Sequence, residues 1–155
     1  MIETLNQFAL EALADSFETM AFMSPMPAEE PHEPPMDAVL VSIFFAGSSS
    51  GIVELVAPRN LGKLAATNIL GADPESSAQY DDALKELLNI LGGLMLRRWI
   101  LESRGKIEIS LPKVSAFDAP AGWSQFIASP GATVLNVEEN MVALRVREYE
   151  RNRVD

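Results

Sequence analysis

Polar side chains recur along one side of a long apolar segment, YDDALKELLNILGGLMLRRWI, residues 80–100. Asp82, Glu86 and Asn89 bring two carboxylates and a carboxamide to that side, and Gly92 and Gly93 follow them. Carboxylates accept hydrogen bonds and pair with cations, whereas a carboxamide both donates and accepts. Because the chain has no cysteine, thiol nucleophiles and zinc–thiolate sites are excluded. The chemistry that these side chains offer is hydrogen bonding and ion pairing.

The spacing of these polar residues predicts a helix that is nearly buried. At 100° per residue, Asp82, Lys85, Glu86, Asn89 and Gly93 fall within a stripe about 100° wide, which Arg97 adjoins. Apolar residues fill most of the remaining surface: Ala83, Leu84, Leu87, Leu88, Ile90, Leu91, Leu94, Met95 and Trp99. We therefore expect a helix over residues 77–102 that exposes one narrow face.

A narrow solvated face needs no function by itself, and Asp82 would then only favour the helix N-terminus through the dipole. The two glycines favour a second interpretation, because each costs about 1 kcal/mol relative to alanine inside a helix. Packing against another helix would explain Gly92. Gly93 lies along the polar stripe, which favours a partner surface that approaches the backbone.

Other segments indicate the elements around this helix. Residues 2–23 have the apolar period of a helix. Residues 38–45 and 51–58 are typical of a hairpin, and a short helix follows, capped by Asn60 and ended by Gly71. A half-buried strand is predicted over 106–112, then a loop anchored by aromatic side chains, and two strands over 133–149 that meet at a turn at Glu139–Asn140. The anchoring side chains are Phe117, Trp123 and Phe126.

The order of these elements predicts the α+β class, with a mainly antiparallel sheet packed with two long helices and a short one. A chain of 155 residues suits a single domain over residues 1–155. Residues 24–37 hold prolines and carboxylates, so an exposed acidic connection is expected there. The one histidine, His32, lies in this connection, where we expect an exposed residue without a function.

Composition excludes several classes of function. The formal net charge is −10, and no basic block is present to neutralise a row of phosphates, so nucleic-acid binding is excluded. No apolar run reaches the roughly 18 residues that a spanning helix needs, so no membrane insertion is expected. The N-terminal segment lacks the features of a secretory signal. A cytoplasmic location is the expectation.

The spacing Asp82-x3-Glu86-x2-Asn89, followed after 22 residues by Pro112, resembles the active motif of the CheC, CheX and FliY family of response-regulator phosphatases. Residues 16–23, SFETMAFM, also resemble the segment that opens the CheX-like members. The size of the chain and the order of its elements are similar to that branch as well, except for the acidic connection at 24–37.

The resemblance implies that the substrate is the phosphorylated aspartate of a CheY-type receiver domain. It implies that Asn89 orients the attacking water and that Glu86 pairs with the receiver's active-site lysine. Asp82, Gly93 and Pro112 would support the site or contact the partner. No cofactor or metal would be bound by this chain itself, because the Mg²⁺ would arrive with the receiver. A homodimer is also implied, for which the edge of the 133–149 hairpin is one guess.

Three functions remain open at this point. The first is a phosphatase that shortens a chemotaxis or related two-component signal. The second is a receiver-binding module of the same fold without turnover, which needs Glu86 as an anchor but does not need the amide of Asn89. The third is a dimeric structural protein with an exposed edge strand, which explains neither the polar stripe nor the glycines.

Overall fold

The computed structural model describes residues 2–28, 33–102 and 104–149. These residues form four helices and seven strands. In chain order they are α1 (Ile2–Ala21), β1 (Met26–Pro27), β2 (Ala38–Gly47), β3 (Gly51–Pro58), α2 (Arg59–Leu70), α3 (Ser77–Leu101), β4 (Ile107–Ile109), β5 (Lys113–Ala116), α4 (Ala119–Ile127), β6 (Ala132–Val137) and β7 (Asn140–Glu148). The predicted α+β class is confirmed.

All seven strands join one antiparallel sheet in the order β1-β6-β7-β3-β2-β4, and β5 also pairs with β2. Every residue of β3 is buried, as its central position requires. Side chains alternate between the two faces of a strand, so each face has its own apolar layer. The predicted hairpin of β2 and β3 is confirmed, with Ala38 opposite Pro58 and Phe45 opposite Gly51.

The larger core lies between one face of the sheet and helices α1, α2 and α3. Phe17 of α1, Leu61 of α2 and Leu88 of α3 are all fully buried in it, together with Val53 and Leu55 of β3. The two long predicted helices therefore lie side by side on this face, with α2 beside them.

The smaller core lies on the opposite face, where α4 covers part of the sheet. Trp123 and Phe126 of α4 are buried there against Val56 and Ala143. These aromatic anchors were expected, but the prediction of a loop was wrong, since residues 119–127 form a helix.

Local details differ from the prediction at two further places. Pro58, rather than Asn60, precedes the first turn of α2, whereas Gly71 ends this helix in the left-handed conformation, as predicted. The turn between β6 and β7 is Glu138–Glu139, both with positive φ. Asn140 belongs to β7, and its side chain donates a 2.9 Å hydrogen bond to the carbonyl oxygen of Glu138.

The acidic connection 24–37 is not irregular throughout, because Met26 and Pro27 pair with Asn136 and Leu135 at the edge of the sheet, while both residues stay exposed. This short strand also covers part of the outer edge of β6, while β7 pairs with β3 and β6 on its two sides. The guess that the edge of the final hairpin pairs with a second copy stays a prediction, although β1 already occupies Leu135 and Asn136 of that edge. Residues 29–32, which include His32, lie outside the described residues.

Candidate functional site

Helix α3 carries most of the site and is held on three sides. It contacts α1, α2 and the sheet, and its start is fixed by Gln79, whose side chain accepts a hydrogen bond from the backbone N–H of Ser76 (3.4 Å). Seven of its apolar side chains are buried: Ala83, Leu84, Leu87, Leu88, Leu91, Met95 and Trp99. The prediction of a nearly buried helix with one polar face is confirmed.

Four predicted site residues come together on this exposed face. Asp82, Glu86 and Asn89 follow one another along α3 at intervals of about one turn, and all three are exposed. With Lys85, Leu111 and Pro112 they line one shallow depression of about 350 Å³. Asn89 and Pro112, which are 23 positions apart in the chain, thus lie on a single surface.

Some polar groups of this depression already form an ion pair within the described structure, and others do not. Asp82 forms an exposed ion pair with Lys85 (Oδ1–Nζ 3.4 Å). Within the described part of the chain, neither the Glu86 carboxylate nor the Asn89 carboxamide has a hydrogen-bond or ion-pair partner. Both groups are therefore available to a molecule that docks on α3.

A β-bulge places Pro112 beside the helix. Phe45 lies opposite Ile109, and Ser42 lies opposite Lys113, so three residue steps on β2 face four steps on the partner strand. The one-residue excess falls at Leu111–Pro112, and such a bulge bends a strand and redirects its side chains. The predicted strand over 106–112 therefore ends at Ile109, and Pro112 lies in the bulge between β4 and β5.

The two glycines of α3 have different surroundings. A Cβ atom on Gly92 would lie 3.0 Å from Cγ2 of Ile109 and 3.1 Å from Cδ1 of Ile43. The prediction that Gly92 packs against another helix was wrong, because both neighbours belong to the sheet. Gly93 is exposed, with no atom within 4 Å of such a Cβ in the described structure.

Gly93 lies outside the depression formed by Asp82, Glu86 and Asn89. It lines the next hollow along α3, of about 270 Å³, with Leu96, Arg97, Ile100 and Leu101. The exposed face thus continues from the polar residues towards the C-terminal end of the helix, where Ile100 and Leu101 are largely exposed.

An apolar groove between α2 and α3 adjoins the depression on its other side. Ala66, Ile69 and Leu70 line this groove of about 310 Å³ with residues of α3, and Asp82 and Glu86 line both hollows. Neither Leu70, which is 56% exposed, nor Leu111, which is 79% exposed, was predicted as a site residue. Their exposure depends on packing between distant segments, so their local sequence gave no signal.

Among the described residues, no group of three or more histidine, cysteine, aspartate or glutamate side chains is placed to hold a metal ion. None of the described helices is both long enough and apolar enough to cross a membrane.

The arrangement of helices around one antiparallel sheet is the fold of the CheC, CheX and FliY proteins. The family model described as "Chemotaxis phosphatase CheX" matches residues 39–118, which is more than half of the chain and includes all of α3 and Pro112. The chain belongs to the CheX family.

Solved structures with this fold are similar over nearly the whole chain. The CheX protein of Desulfovibrio desulfuricans superposes with a TM-score of 0.72 at 15% identity, over 94% of this chain and 99% of that one. A chain of the CheX–CheY–BeF3–Mg²⁺ complex of Borrelia burgdorferi gives 0.65 at 16% identity, over 93% and 97%. FliY of Thermotoga maritima gives 0.59 at 14% identity, over 92% and 88%. Comparison with curated protein sequences gives no match.

Proposed function

We propose that this chain is a phosphatase that hydrolyses the phosphoaspartate of a CheY-type receiver domain in chemotaxis or related two-component signalling. The observation that carries the proposal is the pair of unengaged polar side chains, Glu86 and Asn89, next to Pro112 on the exposed face of α3 in a chain of the CheX family. The complex from Borrelia burgdorferi, which contains CheX and CheY, supports a receiver as the partner.

The reaction needs positioning more than it needs a strong base or nucleophile. An acyl phosphate is an activated group, and phosphoryl transfer proceeds through a loose transition state in which the attacking and leaving oxygens are roughly in line. The water oxygen forms a bond to phosphorus as the bond from phosphorus to the aspartate oxygen breaks. The aspartate leaves as a carboxylate, and the protons of the water pass to the phosphate product and the solvent.

Asn89 is the residue that we assign to the water. Its side-chain oxygen accepts a hydrogen bond from that water, and its NH2 group donates one to the reacting oxygens. Holding the water in line replaces an encounter from bulk solvent by a step within the complex, which lowers the entropic part of the barrier.

Glu86 is assigned to the anchoring of the receiver. Its carboxylate lies one turn before Asn89 on the same face and pairs with the receiver's active-site lysine, which fixes the register of α3 against the phosphoryl group. Asp82, already paired with Lys85, and Pro112, fixed in φ by its ring, shape the two ends of the depression. Gly93 leaves space for the receiver to approach the helix backbone.

The Mg²⁺ ion of the reaction belongs to the receiver in this proposal, and this chain contributes the positioning groups. We also propose that the protein acts in the cytoplasm, where receivers are found, and as a homodimer.

The experiment is to follow the loss of phosphate from each phosphorylated receiver of the source organism with and without this protein, and to measure the affinity of each receiver in parallel. Faster loss from at least one receiver is the expected result. Binding without faster loss would instead support a receiver-binding module, which uses the same exposed carboxylate without turnover. Neither binding nor faster loss across the whole panel would contradict both functions.

A further inference from the structure

Leu111 is an apolar residue that the fold holds out of the core. Its side chain is 79% exposed, although it lies between Ile109, which packs against the main core, and Val114, which also packs against it. The bulge turns it away from the sheet, towards the depression that it lines with Glu86 and Asn89.

Side-chain hydrogen bonds of Ser110 hold the bulge in this form. The backbone N–H of Phe44 donates to Oγ of Ser110 (2.8 Å), where a regular antiparallel ladder would supply a backbone carbonyl. The Ser110 hydroxyl also donates to the carbonyl oxygen of Leu111 (3.2 Å). Because these bonds tie Ser110 to β2 and to the carbonyl of Leu111, the exposed position of Leu111 is built into the edge of the sheet.

We propose that Leu111 is a specificity-determining residue that packs against an apolar surface beside the receiver's phosphoaspartate. This inference rests on the proposed function, because a receiver whose phosphoryl group reaches Asn89 must cover the other residues of the same depression. Covering Leu111 removes its apolar surface from water, which favours receivers with apolar side chains at that place. A receiver with a charged side chain there would lose that contact and desolvate the charge.

The experiment compares three variants in the dephosphorylation of the receiver that the wild type acts on. Leu111→Ser removes the apolar contact, whereas Leu111→Met keeps an apolar side chain of similar volume. Met36→Ser is a matched control at another exposed apolar residue, which is 87% exposed and lies outside the depression. Since Leu111 contributes little to the core, thermal unfolding of all three variants is expected to match that of the wild type.

The expected result for Leu111→Ser is a KM raised about tenfold or more with kcat within about twofold, since a well-buried leucine side chain corresponds to at least that factor in affinity. Leu111→Met and Met36→Ser should stay within about threefold of the wild-type KM. The affinity of the receiver loaded with beryllofluoride and Mg²⁺, measured for the same variants, should change by the same factors as KM.

An unchanged KM and an unchanged affinity for Leu111→Ser, with normal turnover by the wild type, would overturn this inference and leave the phosphatase intact. Binding without turnover by the wild type would overturn the phosphatase, and the affinities would then decide the role of Leu111 on their own. Failure of every receiver to bind would overturn both.

Discussion

Gly92 and Gly93 are neighbours in one helix, yet the structure predicts different effects when each is replaced by alanine. At Gly93 the added methyl group meets no described atom within 4 Å, so the change gains only helix propensity, about 1 kcal/mol. At Gly92 the same gain is opposed by contacts of 3.0 and 3.1 Å to Ile109 and Ile43. Overpacking of this kind costs about 1–3 kcal/mol, so the net effect at Gly92 is a loss of up to about 2 kcal/mol.

Urea unfolding and thermal scans of the two single variants measure these effects. A change of 1 kcal/mol corresponds to about a fivefold change in the folding equilibrium and to a shift in Tm of about 2–4 °C for a chain of this size. Gly93→Ala should therefore unfold at a higher temperature than the wild type, and Gly92→Ala at a temperature no higher than that of the wild type. Equal shifts in the same direction would refute the assignment of Gly92 to the sheet contact and Gly93 to open surface.

A larger residue at Gly93 separates stability from partner binding. Gly93→Leu introduces a good helix former whose side chain projects from the exposed face, so it should leave the fold at least as stable while raising the KM for the phosphorylated receiver about tenfold. A Gly93→Leu protein that is stable and keeps the wild-type KM would show that the receiver does not approach the helix at this point.

Two remaining predictions concern carboxylates. Glu86→Gln removes the charge that we assign to the receiver's lysine, so it should weaken receiver binding about tenfold or more. It should also reduce the dependence of the affinity on salt concentration. An unchanged salt dependence, measured by titration, would contradict the ion pair. Glu54 is buried beneath Arg145 and Arg147, whose Nε atoms each lie 2.9–3.0 Å from its Oε1. Glu54→Ala removes the carboxylate from the largely buried Arg145, which keeps its 2.8 Å hydrogen bond to Ser129. It should cost about 3 kcal/mol of unfolding free energy, and a cost below 1 kcal/mol in urea unfolding would show that the network contributes little.

The sequence predicted the elements whose patterns repeat over many residues. The two long helices and the β2–β3 hairpin have apolar periods that persist for several turns or pairs, and the core confirms them. The polar face of α3 was predictable for the same reason, because Asp82, Glu86 and Asn89 lie on one helix and their relative positions follow from its geometry.

Elements that depend on distant contacts were missed. Helix α4 contains Pro120 and Gly122, which suggested a loop, but a proline is accepted in the first turn of a helix. Gly122 lies against the ring of Phe117, where an added Cβ would come within 3.0 Å of Cζ. This aromatic contact and the burial of Trp123 stabilise a short helix whose local propensity is weak.

The bulge was missed for a different physical reason. It exists because β4 and β5 pair with the same strand in registers that differ by one residue, and a register between distant segments has no signature in either segment alone. The sequence therefore predicted which polar residues, with Pro112, share the candidate site, but it could not show that Leu111 forms part of the same surface.

The role of Asn89 in positioning the attacking water is tested most directly by Asn89→Ala. The matched control is Gln125→Ala, which removes an exposed carboxamide from α4 at the opposite face of the sheet. Phosphate loss from the receiver is measured at saturating enzyme, together with the affinity of the receiver loaded with beryllofluoride and Mg²⁺. We expect Asn89→Ala to bind the receiver within a fewfold of the wild type but to lose its acceleration of phosphate loss by about 100-fold or more, while Gln125→Ala keeps both. Acceleration that survives in Asn89→Ala would contradict the assignment of Asn89 to the water.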